Sequence, residues 1–178
     1  MNPTDPQPFN PQPTLVGPTI TLRPLRASDF EPLLHAASDP LIWAQHPDPL
    51  RYQRDAFDTR FFAPGLQAGT ALVVVNNRTQ QVIGSSRYYD IDEAQRGLAI
   101  GFTFLTRPYW GGATNREMKT LMLDHAFQWA RVVWLHIGVD NWRSRKAAEK
   151  IGAQFSHEDS KEANGVIQRT AFYKMVRA

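Results

Sequence analysis

The sequence predicts an α/β (α+β) domain built on a mixed sheet of about seven strands. Three observations predict it. Strand-like and helix-like segments alternate as strand, two helices, three strands, helix, strand, helix and two closing strands. One run, Val132 to Val139, is near-continuously apolar, as in a strand buried on both faces. A third stretch, Arg107-Pro108-Tyr109-Trp110-Gly111-Gly112-Ala113-Thr114-Asn115-Arg116-Glu117-Met118-Lys119, joins a strand to a helix through paired glycines.

The elements justify themselves in chain order. Residues 1–18 carry six prolines and no core of their own, so an arm is expected there, disordered or draped over a neighbour. Residues 19–178 then form a single domain, a size that buries a proper core. Ile20 to Leu25 reads as the first strand. Ser28 and Glu31 make a capping box ahead of Phe30, Leu33, Leu34 and Ala37 at helical spacing, with Pro32 in the first turn where a missing amide hydrogen does least harm. Asp48-Pro49 signals a second helix, running to about Phe62. Ala71–Val75 and Val82–Asp90 are strands joined by a polar turn, and Gly97–Thr106 is the next. A helix from Thr114 to about Arg131 buries Met118, Leu121, Met122, His125 or Ala126, and Trp129. Asn141 caps a short helix that ends at Gly152, and Gln154–Glu158 with Thr170–Val176 closes the sheet as a hairpin.

Two adjacent glycines, Gly111 and Gly112, let the backbone approach a ligand closely. Thr114 with Glu117 reads as a capping box that starts the helix, whose first amides point at whatever fills the turn. Arg116 and Lys119 add positive charge, so the turn suits a phosphate or pyrophosphate. It is neither a Walker loop nor a GxGxxG dinucleotide turn.

Composition excludes several classes. There is no cysteine, hence no disulfide, thiolate nucleophile or cysteine-based zinc site, and the histidines lack metal-ligand spacing. A net charge of +3 is too small to argue for nucleic-acid binding. No apolar run approaches the ~20 residues needed to span a bilayer, and the start lacks signal-peptide character. A cytoplasmic protein without nucleic-acid or membrane partners, and without a metal, is the expectation. The basic cluster Arg143 to Lys150 is either a solvated helix face or a phosphate contact.

Trp110-Gly111-Gly112-x-x-Asn115-Arg116-Glu117-x-Lys119, after a strand reading Ile100-Gly101-Phe102-Thr103-Phe104, resembles the acetyl-CoA loop of the GCN5-related N-acetyltransferases (GNAT). The likeness is to the branch of the Rim-type ribosomal-protein N-terminal acetyltransferases. Asn141-Trp142-Arg143-Ser144 with Glu149-Lys150-Ile151-Gly152-Ala153 resembles a second signature of the same family, and the likeness spans about residues 19–176. It implies a GNAT fold: two helices after the first strand, and helices flanking a V-shaped splay between the fourth and fifth strands. The pantetheine arm of acetyl-CoA would lie in that splay.

The resemblance implies a site. Backbone groups of Phe104 and Leu105 would hold pantetheine, and Trp110, Gly111, Gly112, Ala113, Thr114, Asn115 and Arg116 would form the pyrophosphate loop. Asn141, Ser144 and Arg145 would complete the coenzyme site from the second signature. Relatives commonly carry a glutamate base where this chain has Ala99, and a tyrosine acid where it has Ala148. Attention therefore moves to His136, on the strand Val132–Val139 beside Trp134 and Gly138, as general base. Its other reading is an ordinary hydrogen-bonded histidine. Ser144 is either a donor to the coenzyme sulfur or a helix-cap partner of Asn141. Asp90, Asp92 and Glu93 would suit a cationic acceptor or simply a solvated turn. The expected partners are acetyl-CoA as co-substrate and a primary amine. That amine is a protein N-terminus or a small molecule such as an amino acid, polyamine or antibiotic. A homodimer and a non-catalytic coenzyme A-binding role stand as further alternatives.

Overall fold

The structure, a computed structural model, describes residues 7–163 and 165–177. One eight-stranded sheet carries the molecule, in the order β1-β2-β3-β4-β5-β6-β8-β7. The strands are β1 (Leu15–Val16), β2 (Ile20–Pro24), β3 (Ala71–Asn76), β4 (Val82–Asp92), β5 (Gly97–Leu105), β6 (Val132–Gly138), β7 (Gln154–Ala163) and β8 (Val166–Val176). Every neighbouring pair is antiparallel except β5 and β6. Helices α1 (Phe30–Ala37), α2 (Pro40–Trp43), α3 (Arg54–Phe57) and α4 (Ala63–Ala68) lie between β2 and β3. Helices α5 (Ala113–Phe127) and α6 (Trp142–Lys150) flank β6 in sequence.

Each face of the sheet has its own core. Leu22, Leu72, Leu98, Ile100, Met118, Met122, Val133 and Tyr173 pack under α5 and α6 on the first face. Leu33, Trp43, Phe57, Phe61, Val73 and Phe104 pack under α1–α4 on the second. A bulge in β5 decides which residue serves which face. Arg87 pairs with Gly101 and Ser85 with Phe104, so β5 takes three steps where β4 takes two. Phe102, at φ +51°, is the extra residue. Because of it Ile100 faces the first core while Phe104 faces the second.

The structure departs from the sequence reading at several points. The eighth strand comes from the proline-rich arm: Leu15 and Val16 pair with β2, and Phe9 is buried against Tyr88 (5.0 Å, edge-on), Trp129 and His125. From Gln7 onward the expected disordered arm is therefore draped over the domain, held by one large ring; residues 1–6 lie outside the described residues. Asp39-Pro40, not Asp48-Pro49, is the helix start in this region, with Asp39 accepting from the Leu41 amide at 3.0 Å. Asp48 instead accepts from Arg51 and Arg60, and the following helical stretch runs from Arg54 through a π turn at Asp58–Phe62 to Ala68, stopped by Gly69 at φ +62°. The box at the first helix is closed by Asp29, which accepts from the Arg26 amide at 2.8 Å, rather than by Glu31, which pairs with Arg54. The closing hairpin is longer than expected on both strands.

Candidate active site

β5 and β6 pair only at Gly97↔Val132, Leu98↔Val133 and Ala99↔Trp134. Beyond Ala99 the two strands part, which is the expected splay. Gly101 and the Phe102 bulge form one wall of the opening and His136 lies on the other.

At the mouth of the splay stands the start of α5. Gly112 occupies the cap position and no side chain caps the first turn. The expected Thr114–Glu117 box is not made. Glu117 instead reaches to β2, accepting from the Thr19 and Ile20 amides at 2.8 and 3.2 Å and from the Thr19 hydroxyl. The first amides of this 15-residue helix therefore stay available to an anion. Gly111 sits at φ +66°, and a Cβ at Gly112 would find nothing nearer than the Trp110 carbonyl at 3.8 Å. Gly111, Gly112, Ala113 and Arg116 are exposed, and Thr114 and Asn115 half-buried. The loop thus presents a bare backbone to solvent.

Trp110 is fixed by its indole N–H, which donates to the Leu105 carbonyl at 2.7 Å. Leu105 therefore offers a carbonyl already engaged, and Phe104 turns its ring into the second core against Trp43 and Phe61. Over the Trp110 ring, at 4.1 Å, lies the guanidinium of Arg143, which donates to the Ile42 and Leu41 carbonyls at 2.8 and 3.3 Å. α6 is tied to α2 across the loop in this way. The sequence did not single out Arg143 for that bridge; the two carbonyls lie about a hundred residues away.

Asn141 does cap α6, its side-chain oxygen accepting from the Ser144 amide at 3.2 Å. The Ser144 hydroxyl donates to no group among the described residues. Arg145 is committed elsewhere: it donates to the Tyr173 hydroxyl and the Val139 carbonyl, both at 3.0 Å, and lies 3.6 Å from Glu158. Lys119 also departs from its expected place at the phosphate loop. It is 9% exposed and points inward, donating to the Thr103 hydroxyl at 2.8 Å, and burial pushes its pKa down to about 7.

His136 is half-buried on the splay wall. Its Nδ1 lies 3.8 Å from Asp90 Oδ2, and its ring contacts Phe172 at 4.5 Å and Tyr89 at 5.4 Å. Burial pulls its pKa down; Asp90 opposes that and His157 adds to it. The imidazole is therefore neutral and able to accept a proton near pH 7. Of the acidic trio, Asp90 faces His136, while Asp92 closes a turn by accepting from the Gln95 amide at 2.9 Å. Tyr89, Arg87 and the Phe102 bulge were missed in the sequence. The one available signal was the shift in apolar parity between Ile100 and Leu105, which marks a bulge. Arg87 is buried with its guanidinium 3.9 Å from the Phe102 ring and no carboxylate partner among the described residues, and burial lowers its pKa to about 10. Among the described residues no three His, Asp or Glu side chains gather as a metal ion would need, and no helix is long and apolar enough to cross a membrane.

The splay, a bare helix start at its mouth and a neutral imidazole inside it can hold a phosphorylated acyl donor and take a proton from a nucleophile. Comparisons with known proteins give the family and the fold. The sequence model of the family described as "Acetyltransferase (GNAT) domain" matches residues 19–154. No curated protein matches the chain. A GCN5-related N-acetyltransferase from Brucella melitensis superposes with a TM-score of 0.82 at 19% identity, covering 99% of this chain and 84% of that one. A Vibrio cholerae protein provisionally described as a ribosomal-protein-serine acetyltransferase gives 0.75 at 15% identity, over 95% of this chain and 100% of that one. Spermidine N-acetyltransferase from Vibrio cholerae, solved with CoA and spermine, gives 0.68 at 17% identity, over 90% and 96%.

Proposed function

Because the chain belongs to the GNAT acetyltransferase family and takes its acetyl group from acetyl-CoA, we propose that its acceptor is an α-amine at a protein N-terminus. The proposed branch is the Rim-type one, supported by the Trp110-Gly111-Gly112…Asn115 loop. In this reading the first amides of α5 hold the pyrophosphate, the splay holds pantetheine, and His136 takes the amine proton directly or through one water.

The observation that carries the choice of acceptor is the base. Ala99 is buried where a carboxylate would stand, which leaves His136, with its lowered pKa, as the proton acceptor on the splay wall. Such a base is weak. At pH 7 roughly one α-amine in ten is already neutral, against roughly one alkylamine in 2,500. A weak base suffices for the first and leaves the second short by more than two powers of ten.

A second reading, a small polyamine acceptor, is favoured by Asp90, whose side chain is 69% exposed and lies 3.8 Å from His136, itself packed against the Tyr89 and Phe172 rings. Thiol release measured with free-N-terminus peptides, N-blocked lysine peptides and spermidine separates the two. The α-amine reading expects kcat/KM highest for free N-termini, and a clear preference for spermidine or lysine would overturn it.

A further inference from the structure

Tyr89 of β4 crosses the opening between β5 and β6. Its ring lies directly over Gly101: a Cβ there would sit 2.8 Å from Tyr89 Cε1 and 3.1 Å from its hydroxyl. The ring meets Phe102 edge-on at 5.2 Å and His136 edge-on at 5.4 Å. It is thus held on three sides, and the Gly101 it covers is two residues past Ala99, the last β5 residue paired with β6. The backbone N–H of His136 donates toward the phenol oxygen, which leaves the hydroxyl's own proton to point elsewhere. A half-buried phenol with a free donor, fixed at the β5–β6 opening by a glycine that makes room for it, is arranged to meet a ligand.

We propose that Tyr89 is a further catalytic residue of the acetyl transfer, its hydroxyl donating a hydrogen bond to the coenzyme sulfur as the acetyl group leaves. The assignment rests on the acetyl-transfer reading. In the step, the amine nitrogen attacks the thioester carbonyl carbon and the C–S bond breaks. The sulfur departs with the electron pair, and the ammonium proton passes to His136 or water. Burial pushes the Tyr89 phenol up, so it stays protonated throughout. That direction decides its role. A phenol above its ordinary ~10 does not surrender a proton to a thiol of ~8.5, so Tyr89 stabilises the thiolate as a donor and solvent supplies the proton. From the far side α6 carries no tyrosine and offers only the Ser144 hydroxyl.

The test compares wild type, Tyr89→Phe and Ser144→Ala. Phenylalanine keeps the ring over Gly101, so a packing role alone would leave turnover intact. Tyr89→Phe is expected to lower kcat about 10² to 10³-fold with the KM for acetyl-CoA nearly unchanged. The ionisation of bound CoA thiol, followed by thiolate ultraviolet absorbance against pH, should move up by about 1 to 2 pH units in the same variant. Gly101→Ala, which displaces the ring while keeping the hydroxyl, should show the same loss. Wild-type kcat in Tyr89→Phe overturns the assignment alone. So does a lowered kcat with unmoved thiol ionisation, or a thiol shift seen only in Ser144→Ala. Failure of the wild-type protein to bind CoA overturns the acetyl-transfer reading and this assignment together.

Discussion

Replacing Lys119 by methionine should make the protein more stable at neutral pH and remove part of its pH dependence. Lys119 is 9% exposed, and its ammonium donates to the Thr103 hydroxyl at 2.8 Å with no carboxylate in ion-pair range among the described residues. Its pKa falls from 10.5 to about 7 because burial penalises the charge. The sign is the reverse of a paired lysine. Between pH ~7 and ~10.5 the unfolded chain binds a proton that the folded chain does not, so stability rises with pH across that window. Below ~7 the penalty is complete, and above ~10.5 it vanishes. At 1.36 kcal/mol per pH unit the penalty is ~4 kcal/mol at pH 7 and ~2 kcal/mol at pH 9. Methionine removes it and forfeits ~1 kcal/mol of hydrogen bond, while Thr103 keeps Ser86 at 2.7 Å. Urea unfolding should therefore place Lys119→Met ~3 kcal/mol above wild type at pH 7 and ~1 kcal/mol above it at pH 9. A variant less stable at pH 7, or a difference that does not narrow as pH rises, would show that Lys119 carries no such burial penalty.

Three other outcomes follow from the same geometry. His136→Ala should lower kcat/KM about 10² to 10⁴-fold while acetyl-CoA affinity is unchanged. Wild-type kcat/KM should fall with acid only below the ordinary histidine range, because burial lowers the His136 pKa, and the variant should lose that inflection in the pH–rate profile. Ser144→Ala should cost about 1 kcal/mol or less in thermal unfolding, since the cap at Asn141 uses the Ser144 amide and not its hydroxyl; turnover then reports whether the hydroxyl acts on the coenzyme. Gly84→Ala should cost about 1 to 3 kcal/mol in chemical unfolding, because its Cβ would lie 2.2 Å from the Phe104 carbonyl across β4 and β5.

Much of the fold was legible because periodicity and local punctuation carry it. Asn141 and Gly152 each act on neighbours a few residues away, and each did what its residue type dictates. Val132–Gly138 is a strand as read, but only Val133 and Leu135 are buried in it, so one face is covered rather than the expected two: beyond Ala99 β5 parts from it and the other face lies along the splay. The failures share one physical cause. Glu117 had a local partner in Thr114 but is taken by the amides of Thr19 and Ile20 from another strand. Lys119 looked like a phosphate ligand on helix spacing, yet the helix rotation that buries Met118 and Met122 turns it toward Thr103. Arg145 likewise looked free for a ligand until Val139 and Tyr173 came beside it. In the candidate site, the glycine loop and His136 were readable as residue types. Tyr89 and Arg87 gain meaning only once the Phe102 bulge and the β5–β6 splay bring them to the gap.

We propose that the coenzyme phosphates are held by the bare start of α5 and its two glycines. Calorimetric titration of acetyl-CoA into the wild-type protein and into Gly112→Val tests it most directly. The substitution is compatible with the fold, since φ at Gly112 is −108° and a Cβ there meets nothing closer than 3.8 Å. Wild type is expected to bind and the folded variant to lose at least tenfold in affinity, as the valine side chain keeps the phosphates off the backbone amides. Equal affinity in the two proteins, with the variant shown to be folded by circular dichroism, would contradict it.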